Sequence, residues 1–315
     1  IPVDREYSFD TILGSSMAIR EAIALAKKVS VTDVPVLLTG ETGTGKEVFA
    51  QAIHRNSERA KKSFVAVNCA AFSKELLESE MFGHKAGSFT GALKDKKGLF
   101  EEANHGTIFL DEIGEMAFDL QAKLLRILET GEFIKIGDTK PTKVDVRIIA
   151  ATNRDLEKEI EQGHFREDLF YRLSVFQIHL PALRERVEDI PLHIKAFVSA
   201  FSSKMGKNIR TISPEYIDAL KKRAWKGNVR ELRNAIERSL IIADGDTLTL
   251  DALPLNMQTS SAASTESYSG FDLSGVEKMH IQKVLKYTKG NKTETSRLLG
   301  IGLTTLYRKI EEYGL

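Results

Sequence analysis

The run VLLTGETGTGKE, from Val36 to Glu47, passes from a short apolar stretch through a loop with three glycines into helix-forming sequence. The pattern G-x-x-x-x-G-K, placed between a buried strand and a helix, is the phosphate-loop arrangement of a parallel α/β sheet. Gly40, Gly43 and Gly45 let backbone N–H groups turn inward around phosphate oxygens, with Glu41, Thr42 and Thr44 between them. Lys46 supplies charge for the β and γ phosphates, so a nucleoside triphosphate is the expected ligand. The residue after Lys46 is Glu47, where the general motif places a Ser or Thr hydroxyl for Mg²⁺, so the metal must draw on other ligands.

Five apolar runs rich in β-branched residues alternate with helical stretches: Val34–Leu38, Phe64–Val67, Thr107–Leu110, Val144–Ala150 and Val175–Leu180. Runs that are apolar on both faces suit a parallel sheet covered on both sides, which predicts a wound α/β domain over residues 8–183. After Pro181 the period changes. Ile190, Ile194, Phe197 and Phe201 recur at helical spacing, Ser213-Pro214 reads as a helix start, and Val229, Leu232, Ile236 and Leu240 form another stripe. These predict a helical subdomain over 184–254. Residues 255–270 hold a serine-rich flexible linker. The chain of 315 residues is long enough for about two domains at roughly 150 each. Forty-five Lys and Arg against 44 Asp and Glu exclude a globally basic nucleic-acid coat. Residues 272–315, however, hold eight basic against five acidic residues, so a basic segment is present locally. The single cysteine, Cys69, cannot form an internal disulfide, and no run approaches the ~20 apolar residues that span a bilayer. With no signal-peptide pattern either, a cytoplasmic protein is expected. The first residue is Ile rather than Met, which leaves room for upstream regulatory sequence.

GTIFLDEIGE ends an apolar run in two carboxylates, Asp111 and Glu112, where ligands bind in open parallel sheets. Asp111 suits Mg²⁺, directly or through water, and Glu112 suits activation of an attacking water. ATNR ends the next run and puts Asn153 beside them. By spacing alone, Arg166 and Arg172 in FREDLFYRL read as surface salt bridges, and Phe89 in KAGSFTGALKDKKG reads as an aromatic tucked under a turn. GNKTETSRLLGIGLTTLYRKIEEYGL reads as helix, glycine-containing turn, helix, with Leu298, Leu299, Ile301 and Leu306 as an apolar junction. On its second helix Thr304, Thr305, Tyr307, Arg308 and Lys309 offer hydroxyls and cations to base edges and phosphates.

GETGTGKE, ESEMFGHKAGSFTGA, GTIFLDEIGE, FREDLFYRL, LPALRER and GNVRELRN, in this order, resemble the sigma-54-dependent transcription activators, the NtrC-like branch of the AAA+ ATPases. The resemblance runs from Phe9 to about Leu253 and again from Val276 to Leu315, and the C-terminal part resembles the Fis-like domain of the same activators. It implies an AAA+ parallel-sheet domain, a helical lid and, over 271–315, an all-α helix-turn-helix domain. Glu47 after the lysine is a family feature. Asn68 is implied as the switch residue holding Glu112, Asn153 as the sensor near the γ-phosphate, and Arg230 as the second sensor on the lid. Ile12, Leu13 and Gly14 are implied on the adenine side. Arg166 and Arg172 become arginine fingers reaching a neighbouring subunit's site, which requires a ring. Gly87, Ser88, Phe89, Thr90, Gly91 and Ala92 become the loop that contacts sigma-54, with Ser88 where the family usually has Ala.

The combined expectation is an enhancer-DNA-binding ATPase that uses ATP and Mg²⁺, assembles as a hexameric ring from an inactive dimer, and remodels the sigma-54 polymerase complex. It would form the central and C-terminal part of a two-component response regulator, without a membrane partner. An AAA+ unfoldase or DNA motor shares the nucleotide site but gives no reason for GSFTGA beside a helix-turn-helix. A purely DNA-binding repressor gives no reason for Glu112, Arg166 and Arg172.

Overall fold

The computed structural model describes residues 8–90, 92–254 and 257, together with 277–313 except 279, 283, 286, 287 and 289. The chain divides into two compact units, Ile1–Ser260 and Ser261–Leu315.

In the first unit, five strands form one parallel sheet in the order Phe64–Asn68, Thr107–Asp111, Arg147–Thr152, Val36–Thr39 and Phe176–His179. Period-2 alternation sends Leu37, Leu110, Ile148 and Ala150 into a core on one face, and Val36, Leu38, Phe109, Ile149 and Ile178 into a core on the other. Helices Met17–Ser30 and Lys46–Arg55 cover the second face, where Phe49 and Ile53 are fully buried. Each such side chain contributes about 1.5–3 kcal/mol through its removal from water.

Three strands run past the apolar runs that predict them, into Asn68, Asp111 and Thr152, and Val36–Thr39 likewise passes Leu38. The ladder continues through Asn68↔Asp111 and Thr39↔Thr152; Asn68 and Asp111 line a cavity at this end of the sheet, whereas Thr152 is fully buried. The expected strand from Val144 instead begins at Arg147, because the Val144 N–H donates to the Gly131 carbonyl and the Asp145 N–H to Asn104 Oδ1. Two short hairpins, Gly83–His84 with Lys96–Lys97 and Glu132–Ile134 with Pro141–Lys143, project between these elements.

The helical part of this unit packs Ile190–Met205, Pro214–Lys221 and Asn228–Ile242 around Tyr216, Trp225, Leu232 and Ile236. Ser213 caps its helix by accepting from the Tyr216 N–H at 3.2 Å, with Pro214 at the first helical position. In the second unit, Lys292–Leu299 ends at Gly300 with φ +66°, and Leu303–Tyr313 follows. Leu306 is fully buried at their junction, whereas Leu298, expected there, is exposed. The linker over 255–270 lies outside the described residues, Met257 excepted. Among the described residues, no helix is long and apolar enough to cross a membrane.

Candidate nucleotide site and loop

The phosphate loop turns on three glycines, Gly40, Gly43 and Gly45, all at positive φ. A Cβ on Gly43 would lie 2.2 Å from the Gly227 carbonyl, so the lid backbone meets the loop where only glycine fits. Gly45 caps the helix Lys46–Arg55, whose first-turn N–H groups and positive dipole end favour an anion. Lys46 is buried, and its ammonium donates to the Gly40 and Glu41 carbonyls at 2.8 and 3.1 Å. Burial pulls its pKa down against the carboxylates of Glu112 and Asp111, which push it up. A phosphate would supply the negative charge this cation calls for.

Lys46, Thr42, Gly43, Gly45, Glu47, Asn68, Asp111, Glu112 and Arg230 line one cavity of about 770 Å³, within the roughly 300–1,000 Å³ typical of ligand pockets. Asp111 Oδ1 accepts from the Glu112 N–H at 3.0 Å, and Glu112 itself has φ +52°. A left-handed non-glycine residue costs of order 1–3 kcal/mol and is found where the surroundings force a side chain into a working position. Glu112 Oε2 accepts from the Asn153 N–H at 3.4 Å, and Asn153 Nδ2 donates to Thr42 Oγ1 at 3.0 Å, so Asn153 bridges the carboxylate and the phosphate loop. Asn68 is not hydrogen-bonded to Glu112 in this structure: its Oδ1 accepts from the Ala70 N–H at 2.8 Å, closing a local turn. Two carboxylates suit Mg²⁺ only when phosphate oxygens and water complete its shell, which is how this ion is usually held. Among the described residues no cluster of three or more His, Cys, Asp or Glu forms a metal site independent of phosphate. Cys69, behind the carboxylates, has its thiol pushed up to about 12 by burial and by Asp111 and Glu112, which makes it inert.

Glu41, expected among the nucleotide-binding residues, does not line this cavity. Its carboxylate receives a two-pronged contact from Arg184 at 2.7 and 2.6 Å and one from Asn228 Nδ2 at 3.1 Å, which hold it down at about 2. Asn228 also donates to the Thr42 carbonyl and accepts from the Leu183 N–H, so it ties the phosphate loop to the lid. Sequence reasoning missed Arg184, Asn228 and also Arg233, which lines the cavity one helical turn after Arg230. Only the positions of LPALRER and GNVRELRN within the motif set hinted at these three.

Ile12 and Leu13 line a smaller adjoining cavity with Thr44 and Val48, whereas Gly14 lines neither. The segment is anchored by Asp189, which is fully buried and accepts from the N–H groups of Ser15 and Ser16 at 2.6 and 2.9 Å. Arg166 and Arg172 line neither cavity: Arg166 pairs with Asp168 at 2.7 Å and Arg172 with Glu129 at 3.6 Å.

In the projecting loop the Gly87 N–H donates to the Ala92 carbonyl at 2.7 Å and Ser88 Oγ to the Lys85 carbonyl at 2.7 Å. The Phe89 ring meets His84 edge-on at 4.9 Å yet stays 46% exposed, so neither a buried nor a freely projecting ring describes it. Thr90 is exposed, Ala92 is buried, and Gly91 lies outside the described residues. Leu93, not singled out by its sequence, is 89% exposed. On Leu303–Tyr313, Thr304, Tyr307 and Arg308 are exposed and Thr305 is half-buried. Lys309 is committed to Glu277 at 2.5 Å, while Lys292 lies over the Tyr307 ring at 4.8 Å.

Residues 12–179 match the sigma-54 interaction domain, 184–269 the AAA+ ATPase lid domain, and 273–313 the Fis family of bacterial regulatory proteins. The chain belongs to the sigma-54-dependent transcriptional activators. It is 46% identical to the regulatory protein AtoC of Escherichia coli over 312 residues, covering 96% of this chain and 68% of AtoC. It is 47% identical to the nitrogen fixation protein AnfA of Azotobacter vinelandii over 310 residues, 57% of that protein's length. A crystal structure of NtrX from Brucella abortus in complex with ATP superposes with TM-score 0.74 at 36% identity, covering 96% of this chain and 69% of that one. RuvB of Thermotoga maritima shares the fold, with TM-score 0.53 at 16% identity, covering 98% of this chain and 89% of that one. This activator therefore carries an AAA+ ATPase domain and a Fis-type helix-turn-helix.

Proposed function

We propose that this chain hydrolyses ATP as a hexameric ring and uses the cycle to remodel the closed sigma-54 polymerase complex from enhancer DNA. We divide it into an α/β ATPase subdomain (8–183), a lid (184–254), a linker (255–270) and a DNA-binding domain (271–315). It would be the effector part of a response regulator that is dimeric when inactive. In the site, Lys46 and the loop amides bind the phosphates, Ile12 and Leu13 face the base, and Arg230 reports nucleotide state to the lid. Mg²⁺, held by Asp111 directly or through water, would neutralise charge on the phosphates. Glu112 accepts the attacking water's proton, with Asn153 fixing its carboxylate. Asn68, bonded elsewhere here, would capture Glu112 in another state of the cycle. Arg166 and Arg172 complete a neighbour's site, and Thr304, Thr305, Tyr307 and Arg308 face DNA; Lys309 would first have to leave Glu277.

The observation that carries this reading is the loop tip, where Phe89 is half-exposed and Thr90 exposed, away from the ATP cavity. Thr90→Ala removes a hydroxyl and a methyl at the expected contact and leaves the ATP cavity chemically intact. Hydrolysis and DNA binding should survive, while the complex with sigma-54 trapped by ADP and aluminium fluoride, and open-complex formation, should be lost. A folded Thr90→Ala protein, its thermal unfolding measured alongside, that melts promoters normally would contradict the reading.

A further inference from the structure

The helix Asn228–Ile242 starts beside the phosphate loop: the Val229 N–H donates to the Gly43 carbonyl at 3.0 Å, and Arg230 follows at once. Three residues on, a helix has risen about 4.5 Å and returned to nearly the same face. That place is taken by Arg233, which lines the same cavity as Lys46 and Arg230. The motif resemblance gives Arg230 a role and Arg233 none. Among the described residues the Arg233 guanidinium makes no ion pair, although Glu237 stands four residues further along the same helix. Its carbon lies 5.5 Å from the centroid of the Phe201 ring, and Phe201 is itself only 6% exposed. An aromatic face steadies a guanidinium without using its N–H donors, so these remain available to a ligand.

The charges around the cavity point the same way. Lys46, Arg230 and Arg233 are its cations and Glu47, Asp111 and Glu112 its anions, so the wall as a whole is neutral. Without Arg233 the carboxylates would outnumber the cations, in a space that must accept a triphosphate which stays anionic even with one divalent ion bound. We propose that Arg233 is a second phosphate-binding cation on the lid, donating to phosphate oxygens of bound ATP while the Phe201 face fixes its direction. The inference rests on the ATP-binding reading above and adds to it a contact that the motifs do not assign. Arginine suits the place, because its planar fork stacks on a ring through its face and donates through its edge.

The test measures the full chain's equilibrium affinity for ATP with Mg²⁺, with thermal unfolding followed for each variant. Arg233→Gln removes the charge and keeps a polar side chain; at low salt it should weaken ATP by about 10-fold or more, the scale of one hydrogen bond to a charged group. Arg233→Met, which can still pack against Phe201, should lose affinity in the same way and serves if the glutamine variant does not fold. Arg233→Lys keeps the charge and should recover most of the affinity. The gap between wild type and the neutral variants should narrow as salt rises, because ions screen an accessible charge pair. Unchanged affinity in either folded neutral variant overturns the proposal. A loss that is equal at low and high salt and is not recovered by lysine overturns it too, since lost packing alone would produce that. Lys46→Ala separates the inference from the reading beneath it: if that change leaves ATP affinity intact, the ATP-site reading itself falls, whereas if it abolishes binding and Arg233→Gln does not weaken it, the role of Arg233 alone falls.

Discussion

Glu112 is held at φ +52°, its backbone N–H donating to Asp111 Oδ1 and its carboxylate accepting from the Asn153 N–H. Glu112→Gln keeps the shape and the phosphate loop but cannot accept a proton. ATP binding should stay within a few-fold of wild type while kcat falls by about 10²–10⁴; turnover at the normal rate would remove Glu112 from the chemistry. A second residue-scale prediction concerns pH. His54 and His193 are both pushed down to about 4, chiefly by burial, whereas an unfolded histidine titrates near 6.5. Between those values the unfolded chain binds more protons than the folded one, so stability must rise with pH across that window and flatten above it. Urea unfolding at pH 5 and pH 7 should show the lower midpoint at pH 5, and His193→Leu should shrink the difference. A midpoint independent of pH would mean that neither ring is buried as described.

At the scale of elements, the phosphate loop and the lid are joined by Asn228. It is fully buried, has φ +52°, and bonds to Leu183, Glu41 and Thr42 at once. Asn228→Ala strands the Leu183 N–H and places a Cβ-bearing residue without side-chain hydrogen bonds in the left-handed region. The unsatisfied donor alone should cost about 1–3 kcal/mol, measurable by chemical denaturation, and ATP affinity should fall with the loop no longer pinned. An unchanged midpoint would show that the clamp adds nothing to the fold. None of this was readable from periodicity, since a lone Asn at a helix start looks like an ordinary cap. The five sheet strands were readable because buried parallel strands are apolar throughout, as Val36–Leu38 and Ile148–Ala150 are. Their ends were not: Asn68 and Asp111 are polar where they line the cavity, and the hydroxyl of the fully buried Thr152 accepts from the Arg154 N–H. The short hairpins escaped for a related reason, since Lys96–Lys97 is exposed and too short to show a period.

For the whole molecule, motif order conveyed the fold class, and Lys46, Asn68, Asp111, Glu112 and Arg230, which the motifs put at one site, line one cavity although they span the sequence. What motif order left open is where long polar side chains go when several partners compete. Glu41 turns to Arg184, Lys309 to Glu277, and Asn68 to its own turn. Arg166 and Arg172 stand outside the cavity of their own chain, so the account makes catalysis a property of an assembly. Its most direct test is ATPase activity per subunit as a function of protein concentration, with and without sigma-54 polymerase on a premelted promoter. The account predicts specific activity that rises with concentration and responds to the polymerase complex, with Arg172→Ala reduced by about 10³ or more in kcat at every concentration. Constant specific activity across the dissociation range, together with a fully active Arg172→Ala, would contradict it.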